Sequence, residues 1–515
     1  MSLTRLPNDC IYDILKYLKN DRTTLFKCLF VNRFWCKETV PLLYANPFDN
    51  YGKNRYLIIW TLILCFDETE ILQLKNLLCA EPYNININPE YKPLFEYTKY
   101  LENINSVKII DLIVTWIGKI TKEYYYKNFN IIITIFYNSI IRQCTNIKYL
   151  IITPSYFLND GENIKTFTSN LSKLKLLRLN FNDEVNNDNI FEFLRGISKY
   201  CLNILKLEIS FLNFSIPLDY FCSIIQNQNN LKAFKILNYD NNESLLNDIL
   251  SFLEFQKHSL ESMEFENVDF DFISFKNFIN LSNLKYLNFH NCKGGSLDQF
   301  EILKFSSFKL KELIFNEPTW NIDILLFIIK YLGSSLQKLS LTKILITIPL
   351  IENILIYCSN LITLEITIHS NVDLLIFSYL KNLKIRNLYL HFFEEFNNID
   401  LFINLSNNLP INIKELSFYF VSSFNLLYFK EFLENCHNNN LKIINSNYLI
   451  NLEFLKIILD YIEKNNNNLM ILGILELEKN WNDDEMILLD KIKSNGVKIV
   501  DFNRIYKEFS YDFII

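Results

Sequence analysis

The residue types that most often perform chemistry are few and scattered in this chain. The 515 residues include eleven cysteines and five histidines, which are His258, His290, His369, His391 and His437. None of the histidines pairs with another histidine or a cysteine at metal-ligand spacing, although His437 directly follows Cys436. The sequence has no glycine-rich phosphate loop, no H-E-x-x-H and no G-x-S-x-G motif. We therefore expect no catalytic residue, no metal site and no cofactor.

Cysteine spacing and the apolar runs indicate the cellular compartment of the chain. The cysteines form no C-x-x-C pair and no regular framework, which favours a reducing compartment. No secretory signal is visible after Met1. The longest apolar runs, 56–66 and 131–137, are well short of the roughly 20 residues that span a bilayer. These features predict a cytoplasmic or nuclear protein, or one found in both, with no membrane partner.

The charge and composition describe an ordered protein. Half of the residues are hydrophobic, a fifth are charged, and the net charge of −6 is spread without long blocks. Such a composition can bury a core, so the chain is not of the disordered class. The lack of a basic excess argues against a nucleic-acid partner, since nucleic-acid binders usually carry a basic face.

The elements that would position any binding residues begin with a short helical segment. Ile11, Ile14, Leu15 and Leu18 occupy one face of a helix at i, i+3, i+4 and i+7. Pro7 stands near its start, where its missing N–H costs little. Thr23 or Thr24 could cap a second helix with an apolar face of Leu25, Cys28 and Leu29, and a third segment carries Phe34 and Trp35. Fewer than fifty residues have too little core to be stable alone, so this segment should lean on a partner or on the following chain.

Residues 1–47 resemble an F-box, whose pattern begins Leu-Pro, continues with an acid and an apolar helix, and closes with Val, a polar pair and Trp. Phe34 departs from the pattern, since the family often has a polar or basic residue before the Trp. The resemblance implies docking on the Skp-type adaptor of a cullin–RING ubiquitin ligase. It implies adaptor-binding roles for Leu6, Pro7, Asp9, Ile11, Ile14, Leu15, Leu18, Val31 and Trp35. The alternative is a three-helix cap whose apolar face packs only on its own chain.

Residues 48–145 are predicted to be a helical connecting or capping region. Helical spacing covers 55–66, 68–78, 94–101 and 107–119. We expect this region to join the N-terminal segment to the rest of the chain and to bury the first unit of an array.

A short phrase recurs through residues 146–515. The pattern apolar-x-x-apolar-x-apolar starts fourteen times between Ile147 and Val497, at steps of 24 to 29 residues. A fixed period in the twenties indicates a solenoid. The alternation at the end of each phrase predicts a short strand, and helical patterns lie between the phrases.

This region resembles a leucine-rich-repeat array, with parallel strands on the concave side and helices on the convex side. The predicted fold class is therefore α/β, with an N-terminal helical F-box-like cap followed by the solenoid. The family often places Asn or Cys eight residues after the first Leu, and here only Asn182 and Cys292 do so. The turns of the other repeats must therefore be satisfied differently.

The outward-facing strand positions are the expected binding surface. Arg178, Lys206 and Lys235 hold the fifth place of successive phrases and would form a contiguous basic stripe. An acidic or phosphorylated segment of a substrate protein would suit such a stripe. Tyr286 and Tyr389 are further candidates, because tyrosine is a favoured interface anchor. The alternative is that this face is simply polar.

Taken with its resemblances, the chain is predicted to be a non-catalytic substrate-recognition subunit of a Skp–cullin–F-box type ubiquitin ligase. Its expected partners are the Skp-type adaptor, the cullin scaffold and an unknown substrate protein. One alternative is a leucine-rich-repeat interaction scaffold with no ubiquitin-ligase role. Another is an F-box protein that acts with the adaptor alone, outside a ligase.

Overall fold

The described part of the chain falls into two compact units, Met1–Gln256 and Lys257–Ile515. The structure is a computed structural model that describes residues 7–49, 54–78, 93–121, 128–154, 161–181, 188–211, 218–238, 243–271, 273–394, 396, 398–420, 424–437, 440–448, 450–464, 468–475 and 481–502. No helix within these ranges is both long and apolar enough to cross a bilayer.

The first unit begins with helices and continues as alternating strands and helices. Its strands pair in parallel, each with the next along the chain. The helices are α1 Asn8–Tyr17, α2 Arg22–Cys28, α3 Arg33–Tyr44, α4 Leu57–Ile63, α5 Glu68–Leu78, α6 Ser106–Thr121, α7 Phe129–Gln143, α8 Gly161–Asn170, α9 Asp188–Tyr200, α10 Asp219–Gln226 and α11 Glu243–Phe252. The strands are β1 Asn103–Asn105, β2 Tyr149–Ile152, β3 Leu176–Phe181, β4 Lys206–Phe211 and β5 Ala233–Asn238.

The second unit continues the same repeat, again with each strand parallel to the next. Its strands are β6 Ser262–Glu266, β7 Tyr286–His290, β8 Glu312–Asn316, β9 Lys338–Thr342, β10 Thr363–Thr367, β11 Asn387–Phe392, β12 Glu415–Phe420, β13 Ile443–Ser446, β14 Ile471–Ile474 and β15 Lys498–Asp501. Its helices are α12 Leu297–Phe300, α13 Ile322–Leu332, α14 Ile348–Tyr357, α15 Leu375–Leu380, α16 Ile399–Asn407, α17 Leu426–Glu434, α18 Leu452–Lys464 and α19 Asp483–Ser494.

Both units have the predicted α/β leucine-rich-repeat architecture. In β3 the residues alternate between half-buried and buried, as a strand with one covered face should. The covered positions Leu177, Leu179 and Phe181 are buried, and the Phe181 ring meets the Phe221 ring of α10 edge to face with centroids 5.6 Å apart. Pro349 lies in the first turn of α14, where its missing N–H is tolerated.

The N-terminal helices close the first edge of the sheet. The carbonyl oxygen of Ala45, just after α3, accepts hydrogen bonds from the N–H groups of Glu102 and Asn103 at 2.8 and 3.2 Å. The next rung repeats this pairing, since the Glu102 carbonyl accepts from Lys148 and Tyr149. An open strand edge invites pairing with other chains, and the chain after α3 occupies the first position of this ladder.

The turns after β6 to β9 share one unusual conformation. Asn267, Asn291, Glu317 and Lys343 stand at the same repeat position, and all have a φ between 48° and 57°. The N–H of each donates to the next repeat, for example from Asn291 to the Asn316 carbonyl at 2.8 Å. Left-handed backbone is uncommon for residues other than glycine, and asparagine tolerates it best. Three of these turns are therefore satisfied by backbone hydrogen bonds, and in the fourth the Lys343 N–H donates to the Thr367 hydroxyl at 2.7 Å. Cys292 follows Asn291 in one of these turns, whereas Asn182 lies outside the described residues.

Three sequence-based expectations need adjustment. Strand β1 lies within the region predicted to be helical and is the first rung of the sheet. The predicted helix at 94–101 is only a short 3-10 turn, Tyr97–Tyr100. The sixth and seventh strands are followed by short helical turns in place of full helices, of which α12 is four residues long.

Candidate functional site

The N-terminal three-helix segment has a small core of its own. Ile11 and Leu15 of α1 pack with Leu25, Cys28 and Leu43, and the partly buried Leu18 and Trp35 lie against this cluster. The caps differ from the sequence-based expectation, because the Asp21 side chain accepts from the Thr24 N–H at 3.0 Å and Thr23 does not cap α2. Asn32 caps α3 by accepting from the N–H groups of Phe34 and Trp35.

The predicted adaptor-binding residues divide into two groups. Pro7, Asp9, Ile14 and Val31 are exposed, whereas Ile11 and Leu15 are buried in the segment's own core, with Leu18 and Trp35 partly buried against it. Leu6 lies outside the described residues. The buried members fix the helices relative to one another, so the exposed members are the ones whose side chains can touch a partner.

Large exposed apolar side chains extend this surface beyond the predicted residues. Tyr17 is 91% exposed and Phe30 is 75% exposed, and Phe26 and Val31 are also exposed. The rings of Phe26 and Phe30 meet edge to face with centroids 5.5 Å apart. We call the exposed set Ile14, Tyr17, Phe26, Phe30 and Val31 the apolar patch. The exposure of Phe26 and Phe30 could have been predicted from the sequence, because neither residue lies on the apolar face formed by Leu25, Cys28 and Leu29.

The basic stripe predicted on the strand face does not form as expected. Arg178 pairs in register with Glu208, and Glu208 pairs with Lys235, so a carboxylate separates the two bases. Lys206 lies two positions earlier, opposite Leu176. The prediction was wrong because the phrase starts at Ile204 rather than at Leu202, and both starts fit the apolar pattern.

Glu208 neutralises much of this cluster. It is 1% exposed, accepts a hydrogen bond from the Arg178 Nε, and lies 2.9 Å from the Lys206 Nζ. Burial acts to raise the pKa of Glu208, but the hydrogen bond from Arg178 and the charge of Lys206 outweigh it and hold the pKa below its usual value. An anionic ligand at Arg178 and Lys206 would therefore compete with a carboxylate already in place.

The two tyrosines predicted as interface anchors are buried. Tyr286 and Tyr389 expose little surface, and the Tyr389 hydroxyl donates to Glu415 Oε1 at 3.3 Å. Asn445 Nδ2 donates to the same oxygen at 3.0 Å, while no partner of Asn445 Oδ1 is found within the described ranges. These tyrosines were expected to point into solvent, and in the structure they pack within the strand face.

A buried glutamate–histidine pair lies on the same face. His391 Nε2 is 2.7 Å from Glu365 Oε1, and both side chains are more than nine-tenths buried. The His391 ring stacks on Tyr419 with centroids 4.3 Å apart, and the Phe502 ring meets Tyr419 edge-on. Burial acts to raise the pKa of Glu365, but the hydrogen bond with His391 outweighs it and the pKa is lowered. The side chains that sequence alternation directs outward thus form a second, polar interior from β9 to β13.

Groups suited to metal chemistry do not come together in the described part of the chain. No set of three or more His, Cys, Asp or Glu side chains there is arranged to hold a metal ion. Burial raises the pKa of the Cys201, Cys222 and Cys292 thiols to about 12, so these cysteines are protonated at neutral pH.

Two solved structures are distantly similar to this chain. No protein-family model matches the chain, and no curated protein matches it. A chain in the crystal structure of the TLR13–ssRNA13 complex is 16% identical with a TM-score of 0.28, over 66% of this chain and 41% of that chain. A chain in the crystal structure of the Rad7 and Elc1 complex in yeast is 12% identical with a TM-score of 0.29, over 98% of this chain and 100% of that chain. This chain thus spans less than half the length of its TLR13-complex neighbour.

Proposed function

We propose that this chain is a substrate-recognition subunit of a Skp–cullin–F-box type ubiquitin ligase. The N-terminal three-helix segment would bind a Skp-type adaptor, and the repeats would bind a substrate protein. The partners would be that adaptor, the cullin scaffold and an unidentified substrate, in the cytoplasm, the nucleus or both. The chain would act without catalysis of its own.

The apolar patch is the observation that carries this proposal. A segment that already has a core gains nothing from leaving two phenylalanines and a tyrosine in water. Five large exposed apolar side chains on one short segment, with the rings of Phe26 and Phe30 in contact, therefore indicate a protein interface. The F-box resemblance of Pro7, Asp9, Ile14, Val31 and their neighbours supplies the class of partner, because the residues that are exposed belong to the family's docking pattern or adjoin it.

A matched pair of variants tests the adaptor role. Phe26→Ser with Phe30→Ser removes two exposed rings from the patch, and Phe255→Ser with Phe305→Ser removes two rings of similar exposure elsewhere, at 59% and 70%. Hot-spot aromatic residues contribute about 2 kcal/mol each, so adaptor affinity should fall about a thousandfold in the first variant and stay unchanged in the second. Affinity would be measured with purified Skp adaptor by calorimetry, with circular dichroism as the check of folding.

Two results would count against the proposal. Unchanged adaptor affinity in the Phe26 and Phe30 variant would remove the patch from the interface. Absence of any adaptor binding by the wild-type chain would favour the second candidate, a repeat scaffold without a ligase role. The hydrogen bonds of Glu102 and Asn103 to the Ala45 carbonyl support that candidate, since closing the sheet edge is by itself a structural role for the helices. Cullin recovery with the adaptor separates a ligase from a complex of adaptor and chain alone.

A further inference from the structure

Three basic residues stand side by side where β11, β12 and β13 begin. Arg386, Lys414 and Lys442 each directly precede a strand, and all three are exposed. The Lys414 N–H donates to the Arg386 carbonyl at 2.7 Å, and the Lys442 N–H donates to the Lys414 carbonyl at 2.8 Å. Neighbouring strands lie about 4.8 Å apart, so the backbones of the three residues are evenly spaced on adjacent rungs. We call these three residues the basic edge.

Described carboxylates do not offset the charge of the basic edge. Within the part of the chain that the structure describes, none of the three has an ion-pair partner, whereas Lys285 and Lys343 of the same unit are paired with Glu261 and Glu317. The carboxylate next to the edge in sequence, Glu415, is buried, and burial raises its pKa. A concentration of unpaired positive charge in a chain of net charge −6 favours an anionic partner.

Apolar residues flank the basic edge on the same ladder. The Arg386 N–H donates to the Ile362 carbonyl, and the Met470 N–H donates to the Lys442 carbonyl, so the order is apolar, three cations, apolar. Ile362 and Met470 are both exposed. A shallow pocket of about 400 Å³ is lined in part by Lys381, Leu409, Ile411 and Asn440, with Ile411 well exposed. Ile411 stands three residues before Lys414, and Asn440 stands two residues before Lys442.

We propose that the basic edge binds an acidic segment of a partner protein, with apolar side chains of that segment on Ile362, Met470 and the Ile411 pocket. Five rungs span roughly 19 Å, the length of about six residues in extended conformation. Single-stranded nucleic acid is the less suitable anion, because such sites use aromatic side chains as stacking platforms. None of the described residues in the edge, its flanks or the pocket lining is Phe, Tyr or Trp. The proposal deepens the proposed function by naming the class of substrate segment, and it rests on that function only for the biological role of binding.

Fluorescence anisotropy with the full chain tests this surface. The probe is a labelled peptide of consecutive Glu residues flanked by Leu, compared with a Lys/Leu peptide of equal length and with labelled oligo(dT). The edge variant is Arg386→Glu with Lys414→Glu and Lys442→Glu. The control variant is Lys430→Glu with Lys456→Glu and Lys491→Glu, which makes the same change in net charge at exposed positions of α17, α18 and α19.

The expected result is binding of the Glu/Leu peptide alone, weakened at least about tenfold in the edge variant and less than about twofold in the control variant. Equal losses in both variants, or no loss in either, would overturn the proposal. Oligo(dT) binding as tight as that of the Glu/Leu peptide, and lost in the edge variant, would assign the edge to nucleic acid instead. Adaptor affinity of the same proteins separates the two proposals, because failure of the edge leaves adaptor binding intact and failure of the adaptor role leaves peptide binding intact.

Discussion

The strand face of β3 to β5 and the strand face of β9 to β13 follow the same alternation of apolar and polar residues, yet they are buried to different extents. In β3 every second residue stays half-exposed, including Arg178 and Asn180. In β10 all five residues are buried, including Glu365 between two threonines. The outward positions of β3 are partly open to solvent, whereas those of β10 form an interior.

This difference changes where each region can bind a partner. In β3 to β5 a single buried carboxylate, Glu208, is shared by the cations of Arg178 and Lys206, of which Arg178 remains 39% exposed. In β10 to β12 the side chains of Glu365 and His391 are both enclosed. A partner of the second region therefore has access to the ends of the strands rather than to their centre, which is where the basic edge lies.

The largest expected effect comes from breaking the fully buried pair of Glu365 and His391, compared with the partly exposed pair of Glu208 and Arg178. His391→Leu leaves the Glu365 carboxylate buried without its partner, and breaking a buried pair in this way costs about 3 kcal/mol or more. We expect a clear drop in the denaturation midpoint of the full chain in urea, with early loss of the second unit's amide protection in hydrogen exchange.

Two variants control that result. Arg178→Ala removes a partly exposed partner while Lys206 still pairs with Glu208, so it should cost less than about 1 kcal/mol. Combining His391→Leu with Glu365→Leu removes both members of the pair and should recover most of the loss, because well-packed apolar residues can replace a buried hydrogen-bonded pair. A loss from His391→Leu no larger than that from Arg178→Ala would contradict the contrast between the two regions.

A smaller effect concerns the pH dependence of Glu208. Its pKa is lowered in the folded chain, so its carboxylate stabilises the fold above the unfolded value of about 4.3, and this contribution is lost as the pH falls through the folded value. Glu208→Gln should cost about 1 kcal/mol at pH 7, reduced from a fully buried pair because Arg178 is partly exposed.

Urea denaturation at a series of pH values checks this. The difference between wild type and Glu208→Gln should shrink as the pH falls below 4. A difference that stays constant across the acid range would show that the carboxylate acts through shape and not through charge.

The period of the sequence is enough to predict the repeat, but not the register of every strand. Leu202 and Ile204 each begin a run that fits the apolar pattern, and both runs include Leu207. In the structure Ile204, Leu207 and Ile209 are buried, whereas Leu202 is exposed. The choice depends on packing between repeats, which a pattern within one repeat does not contain.

Burial of the strand face also comes from tertiary packing. Alternation places Tyr389 and His391 on the outward face of β11. It does not predict that neighbouring rings, such as those of Tyr419 and Phe502, cover that face. The apolar patch was more accessible to prediction, because a helix with apolar residues on two faces has one left for a partner. The basic edge was not predicted, because its residues hold the second place of the phrase. The sequence-based search for a binding surface considered only the outward strand positions, such as the fifth place.

The smallest effect tests whether every buried charge in β9 to β13 stabilises the fold. Burial raises the pKa of Glu415 although Tyr389 and Asn445 both donate to it, so its charge is a cost at neutral pH. Glu415→Gln keeps an acceptor oxygen for both donors, and its new amide N–H groups can donate to Asn445 Oδ1. We expect a gain in stability of up to about 1 kcal/mol at pH 7, in line with the value of one hydrogen bond.

The sign of this change distinguishes Glu415 from Glu365. A raised folded pKa means that the folded chain binds a proton more readily than the unfolded chain, so stability from this site rises as the pH falls from neutral towards the unfolded value. The advantage of Glu415→Gln over wild type should therefore shrink with acid. Glu365→Gln, which disrupts the pair with His391, is the matched control and should lower stability at pH 7. If Glu415→Gln lowers stability as much as Glu365→Gln does, the two carboxylates are equivalent, and both stabilise the fold through their charge.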